Sequence, residues 1–305
     1  MLRSLYSGVS GMKNLQTKMD VISNNIANVN TVGFKSSRVM FQDIMSQTSA
    51  PATAPTTTVG GQNPRQIGLG VQVGSIDTVH TTGAPQTTGR SLDFYLTGPG
   101  YFWVKDGAGS DLFTRDGVFT RDSLGTIVNS AGMKIQGDTL NTPMTIEGYD
   151  RAIRGDANAT PPVLPVDPFT NSTSGSLEVP PTLPTNSDAT FHSMAIDENG
   201  LVTAKYGDQD YVLGRVSIAT FTNPDALQKA GGNNYESNNN TGAPIIGNAG
   251  ENGAGLMVAG AIEMSNVDLA NEFTEMIVAS RAYQANSRSI TTSDEMLQEL
   301  INLKR

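Results

Sequence analysis

The chain is predicted to be mainly β with α-helical termini, and three observations carry that prediction. Apolar residues recur every seven positions at both ends. Short β-rich runs separated by turn signals fill the middle. The 305 residues are low in charge (16%) and in hydrophobics (37%), with Gly, Thr, Asn and Ser making up the balance.

Residues 1–32 read as an N-terminal helix. Leu5, Met12, Met19 and Ile26 form one column of its stripe, and Gly8, Leu15, Ile22 and Val29 the other. Its last turns carry Asn24, Asn25 and Asn28, poor helix formers whose amides compete for backbone hydrogen bonds. Gly33 is expected to end the helix. A connecting segment, 33–67, follows. Its residues 44–64 bear no charge and include "TSAPATAPTTT", a linker composition.

An antiparallel β domain is expected over 68–145 and 190–255. Its strand candidates are "GVQVGSIDTVHTT", "SLDFYLTGPGYFWV", "DLFTRDGVFTRD", "GTIVNSAGMKI", "GLVTAKY" and "YVLGRVSIATF". The turns between them are "KDGAGS", "RDG", "DSLG", "DENG" and "YGDQD". Residues 146–189 read as a Pro-rich surface excursion, since 161–184 hold seven of the 15 prolines. The alternative is a small β subdomain.

The last helix is expected within 256–305. Ile262, Leu269, Met276, Tyr283, Ile290 and Leu297 repeat every seven residues, and "SNVD" (Ser265 to Asp268) supplies a capping-box-like start. Positions flanking this stripe, Phe273, Ala279, Ser280, Asn286 and Leu300, are mixed in character. A single stripe buried against one neighbour stabilises a long helix only marginally, so these helices need several partners. Copies of the same chain meet that need; an intramolecular helix pair capping a domain is the equal alternative.

Composition and motifs exclude several function classes. A net charge of −9 with dispersed cations leaves no basic footprint for nucleic acid. Cysteine is absent, so there is neither a disulfide framework nor a thiolate metal site. No run reaches the ~18 apolar residues of a membrane span, and "MLRSLYSGVSGMKN" lacks the pattern of a cleavable signal peptide. His80 and His192 sit in Thr/Ser-rich β surroundings without a relay or metal pattern. "GLGVQVG" (Gly68–Gly74) has the wrong spacing for a dinucleotide loop. Asp197 and Asn199 fit a hairpin turn better than a calcium loop. Glu147, Asp150, Asp156, Asp167, Glu178 and Asp188 lie in Pro-rich surroundings unsuited to holding a catalytic carboxylate pair. The expectation is no enzyme, no cofactor and no metal.

The stretch "NNIANVNTVGFK" (Asn24–Lys35) closely resembles the signature of the bacterial flagellar axial proteins, the rod and hook subunits. The likeness continues through "GLGVQV", "TGRSLDFYLTGPGYFWV", "FTRDGVFTRD", "GRVSIATFTNPDALQKAGGNNY" and "EMSNVDLANEFTEMIVASRAYQANSRSITTSDEMLQELINLKR". It covers nearly the whole chain apart from the two inserts. Both ends are most like hook subunits of Gram-positive bacteria. The long insert at 44–64 is shared with distal rod subunits, which keeps that alternative open. Where the family usually reads "LDLAI.G.GFF", this chain reads "LDFYLTGPGYFWV".

The resemblance implies a tubular homopolymer that transmits torque from rod to filament. Terminal helices would order on polymerisation into an inner tube, with the β domain outermost. It also implies export through the flagellar type III apparatus without cleavage, assembly beneath a hook cap, and contacts with rod and hook–filament junction proteins outside the cell. The subunit-interface residues would be Leu5, Met12, Leu15, Met19, Ile22, Ile26 and Val29 on the first helix. Leu269, Phe273, Met276, Tyr283, Ile290 and Leu297 would serve on the last. Asn24, Asn25 and Asn28 would fix register between subunits without adding charge, and Phe34 would anchor the outward turn of the chain.

Overall fold

The computed structural model describes residues 2–55, 60–154, 167–171, 173–183 and 186–303. Parts of both inserts, 56–59 and 155–166 with Asp156, lie outside the described residues. The three α-helices among the described residues are α1 (Leu2–Ala27), α2 (Ile146–Arg154) and α3 (Leu269–Leu303). The rest is mainly antiparallel strand. The chain divides into two compact units: Met1–Val29, Lys35–Val79 and Val267–Arg305 form one, Asn30–Phe34 and His80–Asn266 the other.

The first unit contains α1, α3 and two strand pairs. Ser37–Asp43 pairs with Val71–Thr78, and Ser46–Ala50 pairs with Arg65–Gly68. An isolated bridge, Thr53 to Gln62, extends the second pair. The described part of the expected linker is therefore a two-stranded ribbon. Its Thr and Ser residues suit a ladder as well as a linker, and low charge alone does not separate the two.

The second unit is built on a sheet of 14 strands. Strand Tyr101–Lys105 shows why it is stable. Phe102 and Val104 point into a core with Phe94, Leu96, Phe119, Ile127, Ile135, Val202, Val216 and Ile218. Tyr101 and Trp103, on the opposite face, join Phe113, Leu227 and Tyr235 in a second cluster. With alternate side chains buried on both faces, the strand reads as the continuous apolar run "YFWV". The turn at "DENG" closes a hairpin: Gly200 N–H donates to Asp197 O and Asp197 N–H to Leu201 O.

Four expectations change. Met257–Ala259 and Ala261–Glu263 are strands, paired with Phe94–Leu96 and Pro85–Thr87. The C-terminal helix thus starts at Leu269 rather than near 256, and Ile262 is a buried strand residue outside the helical stripe. Asp268 is itself the N-cap, accepting the N–H groups of Ala270 (2.9 Å) and Asn271 (3.4 Å). The Pro-rich stretch is not wholly superficial, because Thr173–Ser176 joins the sheet and Leu177 and Val179 are core residues. Finally, α1 ends at Ala27, so Gly33 does not cap it.

Candidate assembly interface

Helices α1 and α3 run antiparallel within their unit. Gly8 meets Ile290, Gly11 meets Asn286, and Lys18 forms an ion pair with Glu275. The contacts run through Gly8, Gly11, Lys18 and Asn25 on α1 and through Ile290, Asn286, Glu275 and Glu272 on α3. In phase with these residues lie Leu15 and Ile22 on α1 and Met276, Ala279, Ser293 and Leu297 on α3, all buried or half-buried. Each helix contributes one largely apolar column and one of small or polar residues. Gly8 and Gly11, lacking Cβ atoms, let the α3 side chains reach the α1 backbone.

The expected interface residues divide accordingly. Ile22 and Asn25 are buried; Leu5, Met12, Leu15, Met19, Ile26, Asn28 and Val29 are half-buried; Asn24 is exposed. On α3, Met276, Ile290 and Leu297 are half-buried, whereas Leu269, Phe273 and Tyr283 are exposed. Further exposed apolar residues escaped the seven-residue pattern: Tyr6 and Val9 on α1, and Ile277, Val278, Met296, Leu300, Ile301 and Leu303 on α3. Leu269, Phe273 and Ile277 follow i, i+4, i+8 and share one helix face.

The amides of the Asn-rich stretch have separate roles. Asn25 is 2% exposed. Its Oδ1 accepts the Ser37 N–H (3.0 Å), and its Nδ2 donates to Ser37 O (2.8 Å) and to Glu272 Oε1 (2.9 Å). One side chain thereby satisfies both backbone groups of a strand's first residue, as a neighbouring strand would. Asn28 Nδ2 instead donates to Asn24, at its Oδ1 (2.7 Å) and its carbonyl (3.0 Å). That bond is local and exposed.

Phe34 belongs to the second unit, where the Lys229 ammonium lies 4.9 Å from its ring centroid. Burial pulls the Lys229 pKa below the usual lysine range. The adjoining residues complete a buried node that the sequence did not signal. Gly33 N–H donates to Glu263 O (2.8 Å), and Asn233 Nδ2 donates to Val32 O (2.9 Å). Glu263 Oε2 receives Arg115 Nη1 (3.1 Å), and its Oε1 receives the Gly83 N–H (2.8 Å). Arg115 Nη2 donates to Gly98 O (2.8 Å), with its guanidinium 5.3 Å from the Tyr101 ring centroid. The Tyr101 hydroxyl lies 2.6 Å from His80 Nδ1, and burial pushes its pKa far above the usual tyrosine range. Gly33 has φ +68°, and a Cβ there would lie 2.7 Å from the Arg115 backbone. "NTVGF", "FTRDG" and "AIEMSN", far apart in sequence, meet here.

Nothing in these geometries assembles a nucleophile with a base. Among the described residues no group of three or more His, Cys, Asp or Glu is placed to hold a metal ion. No helix among them is long and apolar enough to cross a membrane.

Three family models match the chain. That for flagella basal body rod protein covers residues 5–35. That for the flagellar hook protein FlgE/F/G D1 domain covers 95–204, and that for the flagellar basal body rod FlgEFG protein C-terminal region covers 258–303. The flagellar basal-body rod protein FlgG of Bacillus subtilis (strain 168) is 47% identical over 307 aligned positions, spanning all of both chains. Two proteins of Borreliella burgdorferi also match over the whole of both chains. The flagellar hook protein FlgE is 33% identical over 444 positions, and the rod protein FlgG 32% identical over 311.

Proposed function

This chain belongs to the FlgE/F/G family of flagellar rod and hook proteins, and on that premise we propose that it is a subunit of the basal-body rod. Members of the family are structural subunits that polymerise in the flagellar axis, not enzymes. The observation that carries the rod reading is collinearity. The 305-residue chain aligns with a named rod protein over 307 positions, whereas the named hook protein requires 444. A rod subunit passes torque along a straight shaft, so it needs a surface that locks copies together.

The exposed apolar faces of α1 and α3 supply such a surface. Leu269, Phe273 and Ile277, with Tyr6 and Val9, pack against the helices of neighbouring copies. Met12, Met19 and Ile26, half-buried in one chain, complete their burial there. The helices then line an inner tube, and polymerisation completes the burial of the faces that a single chain leaves exposed. The chain reaches its site through the flagellar type III export apparatus, and its neighbours along the axis are other rod and hook proteins.

The second reading is the hook subunit, working beneath a hook cap and beside hook–filament junction proteins. It is supported by the hook-like ending "MIVASRAYQANSRSITTSDEMLQELINLKR" and by the 33% identity to a named hook protein. Immunogold labelling of isolated hook–basal bodies separates the two. Label on the straight shaft is expected; label confined to the curved segment overturns the rod reading in favour of the hook.

A further inference from the structure

A seven-residue apolar repeat does not define how two helices align, because a slip of one heptad brings apolar residues opposite apolar residues again. In the α1–α3 pair such a slip would put Tyr283 or Leu297 in place of Ile290 at Gly8. The polar column is not repetitive in this way. Glu272 is the acceptor opposite Asn25, and the residues one heptad to either side are Ser265, which precedes the helix, and Ala279, which has no polar side-chain atom. A slipped pair would leave a buried amide donor without its carboxylate.

We propose that Asn25, clasped between the Ser37 backbone and Glu272, is the register-determining residue of the helix pair. Both of its donor hydrogens and its carbonyl oxygen are committed: one face of the amide is fixed to the strand at Ser37, the remaining donor to α3. The strand orients the amide, and the amide then selects Glu272, the one carboxylate in the column Glu272, Ala279, Asn286 and Ser293 of α3. A small groove of about 270 Å³ beside it is lined by Lys18, Val21 and Ile22 of α1, Ser37, Arg38 and Val39 of the strand, and Glu272 and Glu275 of α3.

The charged groups around Glu272 are Lys18 from α1, Arg38 from the strand, which also pairs with Asp77 (4.0 Å), and Glu275 and Asp268 from its own helix. Burial raises the Glu272 pKa, with the Asn25 hydrogen bond opposing the shift. An Asn25→Asp substitution sets a second carboxylate against Glu272, and the pair then needs a shared proton to stay in register. Loss of register is therefore greatest at neutral pH and reversed by acid. Adding Glu272→Gln to the same chain exchanges donor and acceptor, since the new amide on α3 can donate to the carboxylate introduced on α1.

The absence of cysteine allows a direct reading of register. Lys18→Cys with Glu275→Cys reports the native alignment through a short bismaleimide, and Lys18→Cys with Ala282→Cys reports the one-heptad slip. In monomeric protein at pH 7, Asn25→Asp is expected to lower the native cross-link about tenfold, the scale of a lost bond to a charged group, with the slipped cross-link appearing. Acidification and the added Glu272→Gln change should each restore the native cross-link. A native yield unaffected by Asn25→Asp overturns the proposal, as does failure of Glu272→Gln to rescue it; in the latter case the amide serves only the strand at Ser37. These measurements concern one chain's helix pair and fail or succeed independently of where the chain sits in the flagellum.

Discussion

Strand Tyr101–Lys105 and helix α3 use the same kinds of side chain to opposite ends. The strand buries Tyr101, Phe102, Trp103 and Val104 on two faces of one sheet. The helix leaves Phe273, Ile277 and Val278 at least half exposed. Long-range β pairing lets the second unit complete its own core, whereas the first unit keeps apolar surface that its own strands and helices do not cover. The chain therefore completes its apolar burial in one unit and leaves apolar side chains exposed in the other.

That contrast can be broken most severely at the buried node. Arg115→Ala strands the Glu263 carboxylate in a fully buried position and should destabilise the second unit by about 3–5 kcal/mol. Urea unfolding followed by Trp103 fluorescence measures this, and a change under about 1 kcal/mol would show that the node is dispensable. Gly33→Ala comes next. It places a Cβ against the Arg115 backbone at positive φ, and a cost of about 1–3 kcal/mol is expected in the same transition.

Asp268→Ala removes the α3 cap, for an expected loss of about 1 kcal/mol in helix stability by circular dichroism. The smallest stability effect belongs to Phe273→Ala combined with Ile277→Ala. Both are exposed, so the monomer's stability should change by no more than about 0.5 kcal/mol per site. Sedimentation should nevertheless show that this variant no longer polymerises. Normal polymers from it would mean that α3 does not present the assembly face.

The β runs were legible because strands that bury one or both faces announce themselves in the apolar pattern, from "YFWV" to "GLVTAKY". The helix pair was half legible. Leu15, Ile22, Met276, Ile290 and Leu297 stood out by period. Asn25 was singled out by the resemblance, and Ala279 and Asn286 as positions flanking the stripe, whereas Gly11, Lys18, Glu272 and Ser293 went unnoticed, because a seam of small and polar residues carries no hydrophobic signal. Ile262 kept the period by coincidence while its backbone was committed to a strand with Pro85–Thr87. Arg115 and Glu263 were invisible for another reason. Each looks like an ordinary surface charge beside a turn, and only the fold reveals that the two neutralise each other in the interior.

The bond from Gly33 to Glu263 also orders events in time. It joins residues 230 positions apart, and Arg115 lacks its ion-pair partner until Glu263 is present. A chain that emerges N-terminus first, from a ribosome or any narrow passage, cannot close this node until nearly nine-tenths of it has appeared. Contacts of such long sequence separation form slowly. The second unit is therefore withheld from its finished state almost to the end of delivery, and the last strand, Ala261–Glu263, acts as the key that completes it.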